Sequence, residues 1–299
     1  MLARTKACLA FGILGAWALP ASAAYQWQFA TGSAFVQPAS FCGAAQSFTY
    51  GNCFTYGSTP GGGGNVNVNA WASTGTSTGG TNNATSTGIL QTAYLDAYSG
   101  GLGVTDRQEG TVGTSGTSTL YPSNQSHPTA PAPQHSIDNY AATDAVLLSF
   151  TNKINLTGLK LGWPTSTSSC TPVESICDTD ITIWAYTGAG TPSLAGQTFG
   201  SLGAGWVLVS NYLNVPVGTT QLINNAATVD SLGTYQSNYW LISAFYSSSA
   251  LSTTNNDVDF VKLQAVYGTI PTKVSEPESL ALLLLTLIGG AWVRRSRVS

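Results

Sequence analysis

Apolar and polar residues alternate along most of this chain, a pattern typical of half-buried β-strands, whose successive side chains point to opposite faces. Residues 66–71 are the clearest example, because apolar positions there are separated by asparagines. The alternation predicts strands at residues 66–71, 89–98, 145–150, 154–163, 181–186, 206–212, 239–246 and 260–267. Since apolar stripes of helical period are missing between the two ends of the chain, we predict an all-β fold. The many short strands favour an antiparallel β-sandwich, and the jelly roll is one topology that fits.

Turn-forming residues separate the predicted strands. Residues 151–153 (Thr, Asn, Lys) predict the turn of a hairpin between the strands on either side of them. Stretches rich in Gly, Pro, Ser and Thr predict loops at residues 60–64, 73–88 and 111–134. We expect the last stretch to be a long surface loop within one domain rather than a linker, because neither half of the chain alone shows a convincing set of strands.

An apolar run near the start of the chain breaks the period of two. Two basic residues precede the apolar residues 7–19, and Ala21 and Ala23 form an A-x-A cleavage site. We therefore predict a signal peptide over residues 1–23, with the mature chain beginning at Ala24. Export then makes residues 24–274 the secreted domain.

A second apolar run lies near the other end, between a short polar motif and a basic terminus. The motif and the terminal cations are Ser275, Glu276, Pro277, Glu278, Arg294, Arg295 and Arg297. Residues 280–293 between them would span about 21 Å as a helix, less than the roughly 30 Å hydrocarbon core. Residues 275–299 therefore predict a C-terminal transmembrane helix. Because arginines favour the cytoplasmic side of a membrane, we expect the domain to lie outside.

This tail resembles the PEP-CTERM sorting signal that exosortases recognise in Gram-negative bacteria that make extracellular polysaccharide; the usual motif is Pro-Glu-Pro, and here Ser275 replaces the first proline. An ordinary anchor helix is the alternative. Short stretches of the domain are also similar to exosortase-dependent surface proteins, at residues 100–104, 134–139, 178–183, 186–188 and 239–244. The resemblance implies an inner-membrane intermediate, processing by an exosortase-type enzyme, and a final location at the cell surface or in the extracellular matrix.

Charge is scarce in the predicted domain. Residues 24–274 carry five basic and eleven acidic side chains, and the whole chain has a net charge of −3. Without basic patches, nucleic acid and anionic lipid surfaces are poor partners. A neutral polar surface with several tryptophans is compatible with polysaccharide surroundings.

Four cysteines remain after removal of the signal peptide, and an even number in an exported protein predicts disulfides. They are Cys42, Cys53, Cys170 and Cys177. Three connectivities are open. We favour the local pairs Cys42–Cys53 and Cys170–Cys177, since each closes a short loop. Zinc is the alternative, although the spacings match no standard zinc motif.

Several carboxylates lie where chemistry could occur. Asp138, Asn139 and Asp144 form a cluster of oxygen ligands that suits calcium, although Asp and Asn are equally typical of turns. Two further pairs, Asp178/Asp180 and Asp257/Asp259, have the i, i+2 spacing that places both side chains on one face of a strand. That spacing of about 6–7 Å would permit glycoside hydrolysis, yet Asp is also common where a strand begins.

These features predict a non-enzymatic surface protein with a structural or adhesive role in a polysaccharide or biofilm layer. No cofactor is expected apart from structural calcium. The alternatives are a carbohydrate-binding module that uses exposed Trp and Tyr, and a carboxylate-dependent glycosidase.

Overall fold

Fifteen strands and no helix make up the regular structure of the described residues in the computed structural model. The described residues are 24–29, 35–38, 51–74, 88–106, 111–113, 127–129, 135–140, 142–166, 178–223, 235–246 and 258–271. The strands are β1 (Ala24–Gln28), β2 (Phe35–Pro38), β3 (Asn52–Thr59), β4 (Asn65–Ser73), β5 (Leu90–Tyr98), β6 (Gly101–Thr105), β7 (Thr111–Gly113), β8 (His127–Thr129), β9 (Ile137–Asp138), β10 (Asp144–Trp163), β11 (Ile181–Tyr186), β12 (Trp206–Tyr212), β13 (Thr220–Leu222), β14 (Ser237–Ala244) and β15 (Phe260–Thr269). The prediction of an all-β fold is confirmed for this part of the chain.

The strands pair antiparallel, and thirteen of them belong to one hydrogen-bonded network. The order is β12-β11-β14-β10-β4-β5-β6-β15-β1-β3-β2, with β13 on β10 and β9 on β15. Strands β7 and β8 form a separate pair within the stretch that was predicted as the loop 111–134. All described residues belong to one compact unit, Ala23–Pro271.

The predicted hairpin between residues 145–150 and 154–163 is wrong, because both segments belong to the single 20-residue strand β10. Its first half pairs with β4 and β14, and its second half pairs with β15 and β13. A register shift between Ser149 and Ile154 separates the two halves. Residues 151–153 therefore form an irregularity where the strand changes partners, rather than a turn at which the chain reverses.

One hydrophobic core draws on both halves of β10. Alternate residues of β4 point into it, including Val66, Val68 and Ala70, as the period of two predicts. Val146 and Leu148 enter the same core from the first half of β10. Leu156, Leu159 and Leu161 enter it from the second half.

A second buried cluster lies on the opposite face of β4, β11 and β14. Trp71 and Trp184 are buried there beside Leu241. The connection between β11 and β12 supplies Leu194 and Phe199, and Phe199 stacks on Trp184 with ring centroids 5.6 Å apart. This connection therefore covers a sheet face that would otherwise expose two tryptophans.

The predicted signal peptide (1–23) and the predicted tail (275–299) lie outside the described residues. Within the described ranges, no helix has the length and apolar character that crossing a membrane requires.

Candidate functional site

Three aspartates from distant parts of the sequence meet beside the first residues of β11 and β15. We call Asp178, Asp180 and Asp259 the acidic trio; each is buried, and each offers an oxygen within 4.8 Å of the others. An isolated parallel bridge joins Asp178 to Asp259, and the backbone N–H of Phe260 donates to the Asp178 carbonyl at 3.1 Å. Calcium–oxygen distances of about 2.4 Å place two ligands of one ion no more than about 4.8 Å apart. The trio could therefore hold one divalent cation.

Asn139 fixes the position of Asp259 within the trio. The Asn139 Nδ2 donates to Asp259 Oδ2 at 2.6 Å, and the backbone N–H of Asp259 donates to Asn139 Oδ1 at 2.8 Å. The backbone N–H groups of Asp180 and Phe245 also donate to the Asp259 carboxylate, at 3.1 Å and 3.2 Å. These bonds favour the charged carboxylate and hold it in one orientation.

Backbone N–H groups also orient the other two members of the trio. The N–H of Thr179 donates to Asp178 Oδ1 at 2.7 Å, and that of Asn214 donates to Asp180 Oδ1. Asn214 has a φ of 50°, in the left-handed region that Asn tolerates better than most residues. The site is thus built largely from main-chain donors at strand ends.

The charges of the trio act on Asp259 in particular. Burial raises the pKa of Asp259 well above its ordinary value, and the charges of Asp180 and Asp178 raise it further. Hydrogen bonds from the backbone of Asp180 and Phe245 lower that pKa only in part. A divalent cation would offset this repulsion, because it adds positive charge where negative charges are closest.

A second acidic group surrounds Asp144, at the start of β10. Burial raises the pKa of Asp144 well above its ordinary value, and the nearby carboxylates of Asp138 and Asp106 raise it further. Both carboxylate oxygens of Asp144 are buried and accept no well-formed hydrogen bond from the described residues. Asp138, by contrast, accepts hydrogen bonds from Ser136 Oγ and from the backbone N–H of Tyr140.

The structure divides the calcium cluster that was predicted from the sequence. Asp138 and Asp144 interact with each other, whereas the side chain of Asn139 is hydrogen-bonded to Asp259 of the trio. Calcium binding by Asp138, Asn139 and Asp144 as one set stays a prediction. The sequence did indicate the pair Asp178/Asp180, and the structure adds Asp259 to it, while Asp257 lies outside the described residues.

A buried lysine forms a third polar cluster, on β15. The Lys262 Nζ lies 3.8 Å from the ring centroid of Tyr98 and 5.0 Å from that of Trp163. Burial lowers the pKa of Lys262 to about 8, and the charge of Asp96 raises it in part. Burial, together with Lys262, lowers the pKa of the neighbouring His135 to about 4, so this histidine is neutral at pH 7.

Sequence reasoning missed Asp106, Lys262 and Tyr98, because nothing in the linear pattern places them beside known candidates. Asp106 immediately follows β6, and Asp144, Asp180 and Asp259 lie at or next to strand starts. The position of an acidic residue at a strand boundary is the signal that could have identified Asp106.

Of the four cysteines, only Cys53 lies among the described residues. It is fully buried on β3 and is disulfide-bonded. The remaining three, Cys42, Cys170 and Cys177, lie outside those residues.

Comparisons with known proteins found no matching family model, no matching curated protein and no matching solved structure. The resemblance to PEP-CTERM proteins therefore stays a prediction from the residues quoted above.

Proposed function

We propose that this chain is an exported surface protein with a structural or adhesive role in the polysaccharide or biofilm layer of a Gram-negative bacterium. We further propose that calcium at the acidic trio stabilises its domain. The observation that carries the proposal is the burial of the trio: Asp180 and Asp259 are 0% exposed and Asp178 is 7% exposed. Carboxylates enclosed in this way suit a structural ion better than a reaction on a polymer.

The separation of the carboxylates supports the same conclusion. Oxygens of the trio lie within 4.8 Å of one another. Retaining glycosidases separate their two carboxyl groups by about 5–5.5 Å, and inverting ones by about 6.5–9.5 Å. One oxygen of each member lies within 4.8 Å of the others, which is slightly more compact than either arrangement.

Other features fit an exported domain. The disulfide at Cys53 is typical of an oxidising compartment. We propose that the two parts of the sheet, which share β10, pack face to face as a β-sandwich around the core. The jelly-roll topology stays a prediction.

Surface labelling of intact cells tests the proposed location. A membrane-impermeant reagent is expected to label the chain in the parent strain, whereas a strain without its exosortase should retain the chain in the membrane fraction. Pro277→Ala in the sorting motif should give the same retention, and Pro216→Ala, an exposed proline in the domain, should not. Recovery of an unlabelled chain that still carries residues 1–23 would overturn the proposal.

A further inference from the structure

A surface cleft lies at the end of β11 that is opposite to the acidic trio. It has a volume of about 360 Å³ and is formed by residues 186–190, residues 236–239 and Lys153. Small-ligand sites typically measure about 300–1,000 Å³. Since β11 is six residues long, the cleft and the trio are separated by roughly 20 Å along one strand.

Two half-buried tyrosines form the aromatic wall of the cleft. The rings of Tyr186 and Tyr239 meet edge to face, with centroids 6.1 Å apart and planes at 75°. The ring of Trp206, outside the lining of the cleft, lies 5.3 Å from that of Tyr186 and packs against it. Aromatic faces carry partial negative charge, so they attract the polarised C–H groups of a sugar ring.

Glycines hold Tyr186 in place before any ligand arrives. A Cβ atom on Gly188 would lie 2.6 Å from the Tyr186 ring, and one on Gly205 would lie 2.8 Å from it. The Tyr186 hydroxyl donates to the Ala189 carbonyl at 3.1 Å, and the N–H of Thr187 donates to the Gly205 carbonyl at 2.7 Å. The backbone therefore packs directly against the ring, and little side-chain freedom remains to be lost on binding.

Lys153 gives the cleft its charge. This residue is exposed at the irregularity of β10, and it forms no ion pair with the described residues. Beside it, the Asn238 Nδ2 donates to the Phe150 carbonyl at 3.0 Å, which ties the start of β14 to β10. A single unpaired cation next to an aromatic wall suits a ligand that combines a ring with a carboxylate.

We propose that this cleft binds an acidic saccharide, namely a uronate-bearing segment of an extracellular polysaccharide. The sugar ring packs on Tyr239, which Tyr186 supports edge to face, and its carboxylate pairs with Lys153. The choice of a polysaccharide as ligand rests on the surface role proposed above, whereas the geometry of the cleft does not depend on it.

Calorimetric titration of the chain isolated from the cell envelope tests this proposal, with a mannuronate hexasaccharide as the acidic probe and cellohexaose as the neutral one. We expect the acidic probe to bind more tightly and to lose affinity as salt is added, since the ion pair is exposed. Lys153→Gln should weaken binding of the acidic probe by about two- to fivefold, the usual contribution of an exposed ion pair. Lys160→Gln, a change at the other lysine of β10, should leave the affinity unchanged.

The aromatic wall is tested separately. Tyr239→Ala should abolish measurable binding, while Tyr239→Phe, which keeps the ring, should retain it. Equal affinity for the two probes, or full affinity in Lys153→Gln, would overturn the assignment of an acidic ligand. Failure of a correctly folded chain to bind either probe would overturn the cleft as a saccharide site, and a surface location measured independently would still stand.

Discussion

Calcium is expected to raise the melting temperature of the metal-free chain, because the acidic trio gathers its oxygens only in the folded state. A ligand that binds only the folded state stabilises it by about 2.7 kcal/mol at one hundred times its dissociation constant. Calcium would offset the repulsion that Asp180 and Asp178 exert on Asp259. Thermal unfolding followed by circular dichroism, with calcium titrated into chelator-treated protein, measures the shift.

Two matched variants locate the ion. Asp180→Asn should remove most of the calcium response, because it takes one charged ligand from the trio. Asp144→Asn changes another fully buried aspartate and should leave the response intact. The opposite result, with the response lost in Asp144→Asn and kept in Asp180→Asn, would assign calcium to the cluster of Asp138, Asn139 and Asp144. A melting temperature that calcium does not move would contradict both sites.

Asp144→Asn should also stabilise the metal-free chain at neutral pH, because it removes a buried negative charge that the nearby carboxylates of Asp138 and Asp106 repel. The wild-type carboxylate is fully buried without a well-formed hydrogen bond from the described residues, and Asp138 and Asp106 are close to it. Asparagine has nearly the same shape and carries no charge.

The pH dependence of this effect has a definite sign. The pKa of Asp144 is raised in the folded state above its ordinary value of 3.8, so the wild-type chain binds more protons folded than unfolded. Its stability contribution is therefore present below about pH 4 and is lost as the pH rises through the raised pKa. The advantage of Asp144→Asn should be small near pH 4 and should grow towards neutral pH.

Urea unfolding of both proteins between pH 4 and pH 8 in metal-free buffer measures this difference. Burial lowers the pKa of His135 to about 4, so its folded state binds fewer protons than the unfolded state between about pH 4 and its ordinary value of 6.5. That contribution makes stability rise with pH, but it is common to both proteins and cancels in the difference. Lower stability of Asp144→Asn at pH 7, or an effect equal at all pH values, would contradict the account.

Alternation was a reliable guide for several strands, but it missed β1, β3 and β6, whose Trp27, Phe54 and Leu102 also enter the main core. The predicted strands at 181–186 and 206–212 coincide with β11 and β12, and residues 66–71 lie within β4. Ile181 and Ile183 point into the main core, and Trp184 points to the opposite face. The local pattern sufficed there because a shift of one residue in the pairing register would move every side chain of the strand to the opposite face of the sheet.

Pairing partners are not encoded in that pattern. Residues 151–153 look like a hairpin turn, yet the segments around them gain more from pairing with β4, β14 and β15 than from pairing with each other. Short strands such as β9 and β13 were missed for a related reason. Each has only two or three residues, and β9 is defined by its bonds to β15 rather than by its own composition.

The candidate site was only half visible in the sequence. Asp178 and Asp180 are two residues apart just before β11, so their proximity follows from the geometry of an extended backbone. Asp259 joins them through a parallel bridge to Asp178 across 81 residues, and Asn139 bonds to Asp259 across 120 residues. Contacts of that range depend on the whole topology, which one linear pattern does not specify.

Mass spectrometry of the C-terminus of the surface-extracted protein tests the central claim most directly. If the chain is sorted to the surface by a processed PEP-CTERM-like tail, the mature protein should lack residues 280–299 and should begin at Ala24. A surface form that retains the complete terminus through Ser299 would contradict processing and would favour a permanent membrane anchor.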